Sequence, residues 1–147
     1  MKNLKQEKEN TPIDMTKDET LRTYFYPQKQ IELNLPSTLL VKSDGSHIIG
    51  LLNGQIINVP NEWQAFSAVT FAKDFVFNIS KENNEFESWY DLQGIEKSRT
   101  YVFDNMEYTI LNPKKVYIKK SGSHYLTDDS GLIHYIKNTF KTVTSVR

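Results

Sequence analysis

The chain has no cysteine. That removes disulfides, thiolate nucleophiles and cysteine-bound zinc together, and it fits a reducing cytoplasm. It also lacks any apolar run of about 18 residues, the length at which a segment reads as a membrane-spanning helix. Met1 to Asn10 alternate Lys, Glu, Asn and Gln, without the apolar stretch of a secretory signal. A net charge is missing as well, with 18 Lys and Arg against 18 Asp and Glu, which argues against generic polyanion binding by the chain as a whole. No glycine-rich phosphate loop, nucleotide fingerprint or paired-carboxylate signature is present, so no cofactor is implied.

What the chain does have is a repeat of itself. Shifted by 77 positions, residues 13–70 lie over 90–147 without a gap, and fourteen pairs are identical. They include Glu19/Glu96, Arg22/Arg99, Tyr24/Tyr101, Pro36/Pro113, Lys42/Lys119, Gly54/Gly131 and the run Gly45-Ser46-His47 over Gly122-Ser123-His124. Chance would give roughly four identities at one offset. The reading is an all-β chain of two tandem, pseudo-two-fold-related small barrels of SH3 or OB size. The divisions are a flexible tail (1–12), a first repeat (13–70), a connector hairpin (71–89) and a second repeat (90–147).

Strand signals carry that reading. Thr23-Tyr-Phe-Tyr26 and Thr100-Tyr-Val-Phe103 are dense in strand formers. Ile31/Leu33 and Tyr108/Ile110 alternate with polar neighbours, the period-2 mark of a half-buried strand. Pro36 and Pro113 are expected to end those strands, since proline has no ladder donor. Asn53-Gly54 and Ser130-Gly131 sit between apolar runs and predict two-residue hairpin turns. Residues 61–75 could begin as a helix capped by Asn61, but the β-branched twin segment favours strand. Thr16 and Glu19 have the spacing of a capping box over one helical turn. The connector reads as a hairpin, Asp74 to Ser80 and Phe86 to Tyr90, turning at Lys81 to Asn84. The expected core is Ile31, Leu33, Leu40, Ile56, Val59 and Trp63, with Tyr108, Ile110, Tyr117, Ile133, Ile136 and Phe140.

Three constellations are candidate sites. Arg22-Thr-Tyr24 and Arg99-Thr-Tyr101 place Arg and Tyr on one strand face, either as a platform for a stacked base or phosphate or as scaffold paired with Glu19 and Glu96. His47 with Lys42, and His124 with Lys119, read either as two matched ligand points or as tight turns with satisfied imidazoles. Lys115, Tyr117 and Lys119 alternate on one strand, which suits a nucleic-acid backbone, although lysines also guard exposed strand edges. Metal is disfavoured. A two-residue turn at Ser130-Gly131 would pair Thr127 with His134 and put His124 and His134 on opposite faces.

Charge divides unevenly between the repeats, −2 in the first and +3 in the second. The leading functional reading is a non-enzymatic intracellular binding module that engages nucleic acid, or the machinery that handles it, through the basic second repeat. The alternative is a protein–protein adaptor or virion structural protein without nucleic-acid binding. An enzymatic reading would need His47 or His124 as general base. Lysine outnumbers arginine fifteen to three, and Asn and Ile are abundant, a usage that fits an AT-rich phage or mobile element.

Overall fold

The structure, a computed structural model, describes residues 12–16, 18–70 and 86–147. The tail up to residue 11 and the first arm and turn of the connector lie outside the described residues. Within them the regular structure is fourteen strands and no helix. The first seven are β1 (Ile13–Asp14), β2 (Glu19–Phe25), β3 (Gln30–Asn34), β4 (Pro36–Val41), β5 (His47–Leu51), β6 (Ile56–Val59) and β7 (Ala65–Thr70). The second seven are β8 (Phe86–Asp91), β9 (Ser98–Val102), β10 (Glu107–Leu111), β11 (Pro113–Lys119), β12 (His124–Asp128), β13 (Leu132–Ile136) and β14 (Thr142–Val146). Alternation sets their faces. In β10, Tyr108 and Ile110 point inward while Glu107, Thr109 and Leu111 point out. No helix begins at Asn61, and the second arm of the connector is present as β8, paired with β11.

All ladders are antiparallel. Residues 13–70 form the order β1-β4-β5-β6 and the order β3-β2-β7; residues 86–147 form β8-β11-β12-β13 and β10-β9-β14. One further ladder joins the two sets. Strand β7 pairs with β13, from Leu132 opposite Val69 to Ile136 opposite Ala65. The result is a seven-stranded sheet, β3-β2-β7-β13-β12-β11-β8, beside one sheet of four strands and one of three.

None of these sheets closes into a barrel among the described residues, and the reason is local. The prolines do not end β3 and β10; they begin β4 and β11, one residue after a left-handed kink at Leu35 (φ 50°) and Asn112 (φ 49°). The kink carries the chain out of one sheet and into another, so β3 and β4 never share a ladder. The described strands do not display the expected two-fold relation either. It would require β6 to pair with β14 as β13 pairs with β7, but β6 and β14 each terminate a sheet.

Both Asn-Gly-type turns contain three residues rather than two. Gly54 donates to the Leu51 carbonyl and Gly131 to the Asp128 carbonyl, and both glycines have φ above +90°. That is a type I turn followed by a glycine bulge. The extra residue shifts the ladder, so Thr127 pairs with Ile133 and Leu126 with His134. His124 and His134 therefore share a face, opposite to the expectation.

Two apolar cores result. The first is filled from both sheets of residues 13–70 by Tyr24, Leu33, Ile49, Val59, Trp63 and Phe66; the second by Tyr101, Ile110, Val116, Leu126 and Ile136. The joint interlocks them, because Ala65 of β7 belongs to the second core and Tyr135 of β13 packs on the first. Most of the expected core is buried, but Ile31, Leu40 and Phe140 are half-buried and Ile56 is 76 % exposed. In β6 it is Ile57 and Val59 that face inward, which leaves Ile56 on the solvent side.

Leu35 is an exposed leucine in a conformation that costs an ordinary L-residue about 1–2 kcal/mol and that asparagine tolerates. Its counterpart 77 residues on is already Asn112, which receives the same kind of backbone support: Leu35 N–H donates to the Thr20 carbonyl, Asn112 N–H to Lys97. Leu35→Asn should therefore stabilise the protein by about 1 kcal/mol, read as a higher midpoint in urea unfolding. A lower midpoint would mean the leucine side chain contributes more than its backbone strain removes.

Candidate functional site

Arg22 and Tyr24 alternate on β2, and β5 begins with His47, so three chemically capable side chains meet inside the first core. The Arg22 guanidinium grips Glu19 with two bonds, Nε to Oε1 at 2.8 Å and Nη2 to Oε2 at 2.7 Å. Its Nη1 donates to the Tyr24 hydroxyl at 2.8 Å, and that hydroxyl lies 2.6 Å from His47 Nδ1. Burial favours the neutral imidazole, whose Nδ1 can accept from that hydroxyl. Burial, with the positive Arg22 and Lys137 nearby, pushes His47 down to about 3.

The same side chains meet in the second core. Arg99 reaches Glu96 Oε2 at 2.9 Å and the Tyr101 hydroxyl at 3.0 Å, and Tyr101 lies 2.6 Å from His124 Nδ1. Burial and Arg99 push His124 down to about 4. Here arginine spends Nε on the tyrosine, so the contact to glutamate is single and Glu96 Oε1 is buried without a partner. Sequence reasoning offered Glu19 and Glu96 only as partners of a scaffold. The structure makes them the anchors of both clusters, and their identity across the repeat was the signal.

These arrangements favour support over ligand capture. Tyr24 and Tyr101 have no exposed surface, so neither ring can stack a base. Removing either member of the buried Arg22–Glu19 pair strands a charge at a cost of about 3–5 kcal/mol, which makes both residues necessary to the first core. A neutral imidazole with a conjugate acid this strong is a weak general base at neutral pH. The capping box is absent: Thr16 bonds to Asp14, and Glu19 turns to Arg22.

His134, which stands where the first repeat has Ile57, forms a separate cluster. Its Nδ1 is 2.7 Å from the Tyr108 hydroxyl and its Nε2 is 2.8 Å from Asp128 Oδ2. Burial acts to raise Asp128, but bonds from His134 and Ser130 outweigh it and hold the carboxyl below its usual range. Among the described residues no three His, Asp or Glu side chains converge as a metal centre would need.

Lys115, Tyr117 and Lys119 share one face of β11. Register aligns Tyr24, Phe66, Tyr135, Tyr125, Tyr117 and Trp89 in a single row across the seven-stranded sheet. Phe66 and Tyr135 stack at 5.3 Å, and Tyr125 and Tyr135 lie 4.8 Å apart. Lys119 lies over the rings of Tyr125 and Tyr135, and Lys115 over Trp89 at 4.8 Å while also 3.8 Å from Asp91. The structure thus brings Lys115, Tyr117 and Lys119 together, with Tyr117 buried and Trp89 48 % exposed. Arg99 is held elsewhere by Glu96, and Lys42 is exposed after β4. Beside the row, a cleft of about 370 Å³ at the β7–β13 joint is lined by His47, Trp63, Phe66, Lys119, Tyr135 and Lys137. Lys137 sits 4.0 Å over the Trp63 ring and bonds to Asn61, and burial lowers its titration to about 8.

Comparison of the chain with models of protein families, with curated proteins and with solved structures returns no match.

The depressed histidines have a consequence for acid stability. Unfolded imidazoles titrate near 6.5, whereas His47 and His124 resist protonation down to about 3 and about 4 in the fold. Between those limits the unfolded chain binds more protons, so stability falls as pH drops from about 6.5 towards 4. Urea midpoints measured across that window should decline, and His47→Asn should decline less steeply than wild type. Equal slopes would show that His47 is not the group taking up the proton.

Proposed function

We propose that the protein is a non-enzymatic binding module made of two tandem small β repeats, and that it works by association with protein. One observation carries this: the arginine, tyrosine and histidine side chains repeated at 77-residue spacing are consumed by one another inside the two cores, while strand edges remain open at the surface. Such a chain has rigid sheets to offer a partner and few free polar groups with which to process a small molecule. An intracellular accessory protein or virion component of phage type fits that description. Among the described residues no helix is long and apolar enough to cross a membrane.

A second reading has its own observation. Lys115 and Lys119 stand over an aromatic row that ends in the half-exposed Trp89, an arrangement able to hold a nucleic-acid backbone and stack a base. Gel shifts with random single-stranded and duplex nucleic acid at low and raised salt separate the two. The expected result is no retardation at low salt. Binding that weakens steeply with salt, and whose salt slope flattens by about one unit per lysine removed in Lys115→Ala/Lys119→Ala, would install the nucleic-acid reading instead.

A further inference from the structure

The β7–β13 joint is a head-to-tail contact, and among the described residues both of its halves recur without a partner strand. Strand β7 corresponds to β14 at 77-residue spacing, and β13 to β6; β6 ends the four-stranded sheet and β14 the three-stranded one. We propose that β14 of one molecule pairs with β6 of a second copy of this chain, in the register of the β7–β13 joint. This rests on the reading of the protein as an association module and names its partner.

Three observations converge on it. The first is continuity with an existing interface. Carrying the β7–β13 ladder over by 77 residues sets Gln55 opposite Val146, Ile56 opposite Ser145, Ile57 opposite Thr144, Asn58 opposite Val143 and Val59 opposite Thr142. The second is composition. Among the described residues six strands terminate sheets: β1, β3, β6, β8, β10 and β14. Native edges are normally guarded by charge or proline. Asp14, Glu32, Glu87 with Asp91, and Glu107 guard β1, β3, β8 and β10, whereas Ile-Ile-Asn-Val of β6 and Thr-Val-Thr-Ser-Val of β14 contain neither. The unguarded edges are the two that the joint would match. The third is exposure: Ile56 at 76 % and Val146 at 59 % are apolar side chains open to solvent on those strands.

Hydrogen-bond parity agrees. The Lys137 amide donates to the Gln64 carbonyl across the joint, so in that ladder Phe66, Ala68, Ile133 and Tyr135 direct their backbone groups at one another. At the open edges the corresponding outward amides belong to Val143, Ser145, Ile56 and Asn58. The copy-to-copy contact is weaker than the internal one. Pro60 replaces the donor of Lys137, and Asn58 with Val143 replaces the stacked Tyr135 and Phe66. Association should therefore depend on concentration. Because the contact joins unlike edges, it extends into a ring or an open filament rather than stopping at a symmetric dimer.

The test is sedimentation velocity of the full chain over a broad concentration range, with the edge variants Ser145→Pro and Asn58→Pro. Each removes one outward donor at an exposed position. Wild type should grow beyond dimer, each variant alone should remain monomeric, and their mixture should give dimers only, since each retains the edge that the other has lost. Because proline can unfold a strand, the register is also tested with cysteines in this cysteine-free chain. Oxidising a mixture of Ile56→Cys and Ser145→Cys should yield the mixed dimer, the facing Cα atoms lying within the roughly 4.4–6.8 Å that a disulfide spans. Monomeric wild type without cross-links overturns the proposal, as does self-linking of Ser145→Cys in preference to mixed linking. In both cases, absence of salt-dependent gel shifts leaves the association reading standing with a different protein as partner. Lysine-dependent gel shifts overturn that parent reading whatever the association state.

Discussion

Everything in this molecule is arranged around one ladder, that between β7 and β13. Without it the described strands would fall into two sets, each a pair of small sheets over a core of about ten buried side chains, near the lower limit of what folds unaided. The ladder adds five residue pairs and merges two sheets into one of seven strands. It also moves side chains across the boundary: Ala65 enters the second core, and Tyr135 stacks on Phe66 at the first. Lys137, Asn61, Thr139 and Gln64 tie the rim of the joint. Because the contact joins unlike strands, the corresponding β6 and β14 are left as sheet edges among the described residues, and neither carries a charged side chain.

The second constraint is the buried polar chain that each core contains. An arginine sealed from water is tolerable only when it is hydrogen-bonded, and Glu19 with Tyr24 accepts from all three guanidinium nitrogens of Arg22. The tyrosine hydroxyl lies against His47 Nδ1, which in the neutral imidazole favoured by burial can accept its hydrogen bond. Each member thereby contacts the next. That linkage explains why Glu19, Arg22, Tyr24 and His47 recur together 77 residues later, although the surrounding apolar residues differ in all but a few positions. The second cluster tolerates a poorer fit, with one glutamate oxygen left unpartnered.

The all-β class, the strand positions and the pairing of segments at 77-residue spacing were legible in the sequence, because alternation and turn residues are local properties of the chain. Ile31/Leu33 and Tyr108/Ile110 announce β3 and β10 through period-2 patterning alone. The lengths of the two hairpin turns were not legible: Asn53-Gly54 suits both a two-residue turn and the last two places of a three-residue one. That single residue reversed the relative facing of His124 and His134. Pro36 and Pro113 marked strand boundaries correctly but on the wrong side, since the absence of an amide donor says only that a ladder is interrupted. Whether Arg-Thr-Tyr was platform or scaffold also lay beyond the sequence, which shows that Arg and Tyr share a face but not what covers it.

By itself, then, the sequence determined the all-β class and which positions match at 77-residue spacing, and its lack of cysteine removed thiol chemistry. Only the tertiary structure decided which edges meet. A strand edge has backbone groups that any other edge could satisfy, and the choice of β13 for β7 depends on the Phe66–Tyr135 stack and the Lys137 contacts across the joint. Those contacts bring together residues about seventy positions apart, which no local pattern in the chain specifies. The same holds for the aromatic row from Tyr24 to Trp89, whose members come from six strands and become neighbours only through register.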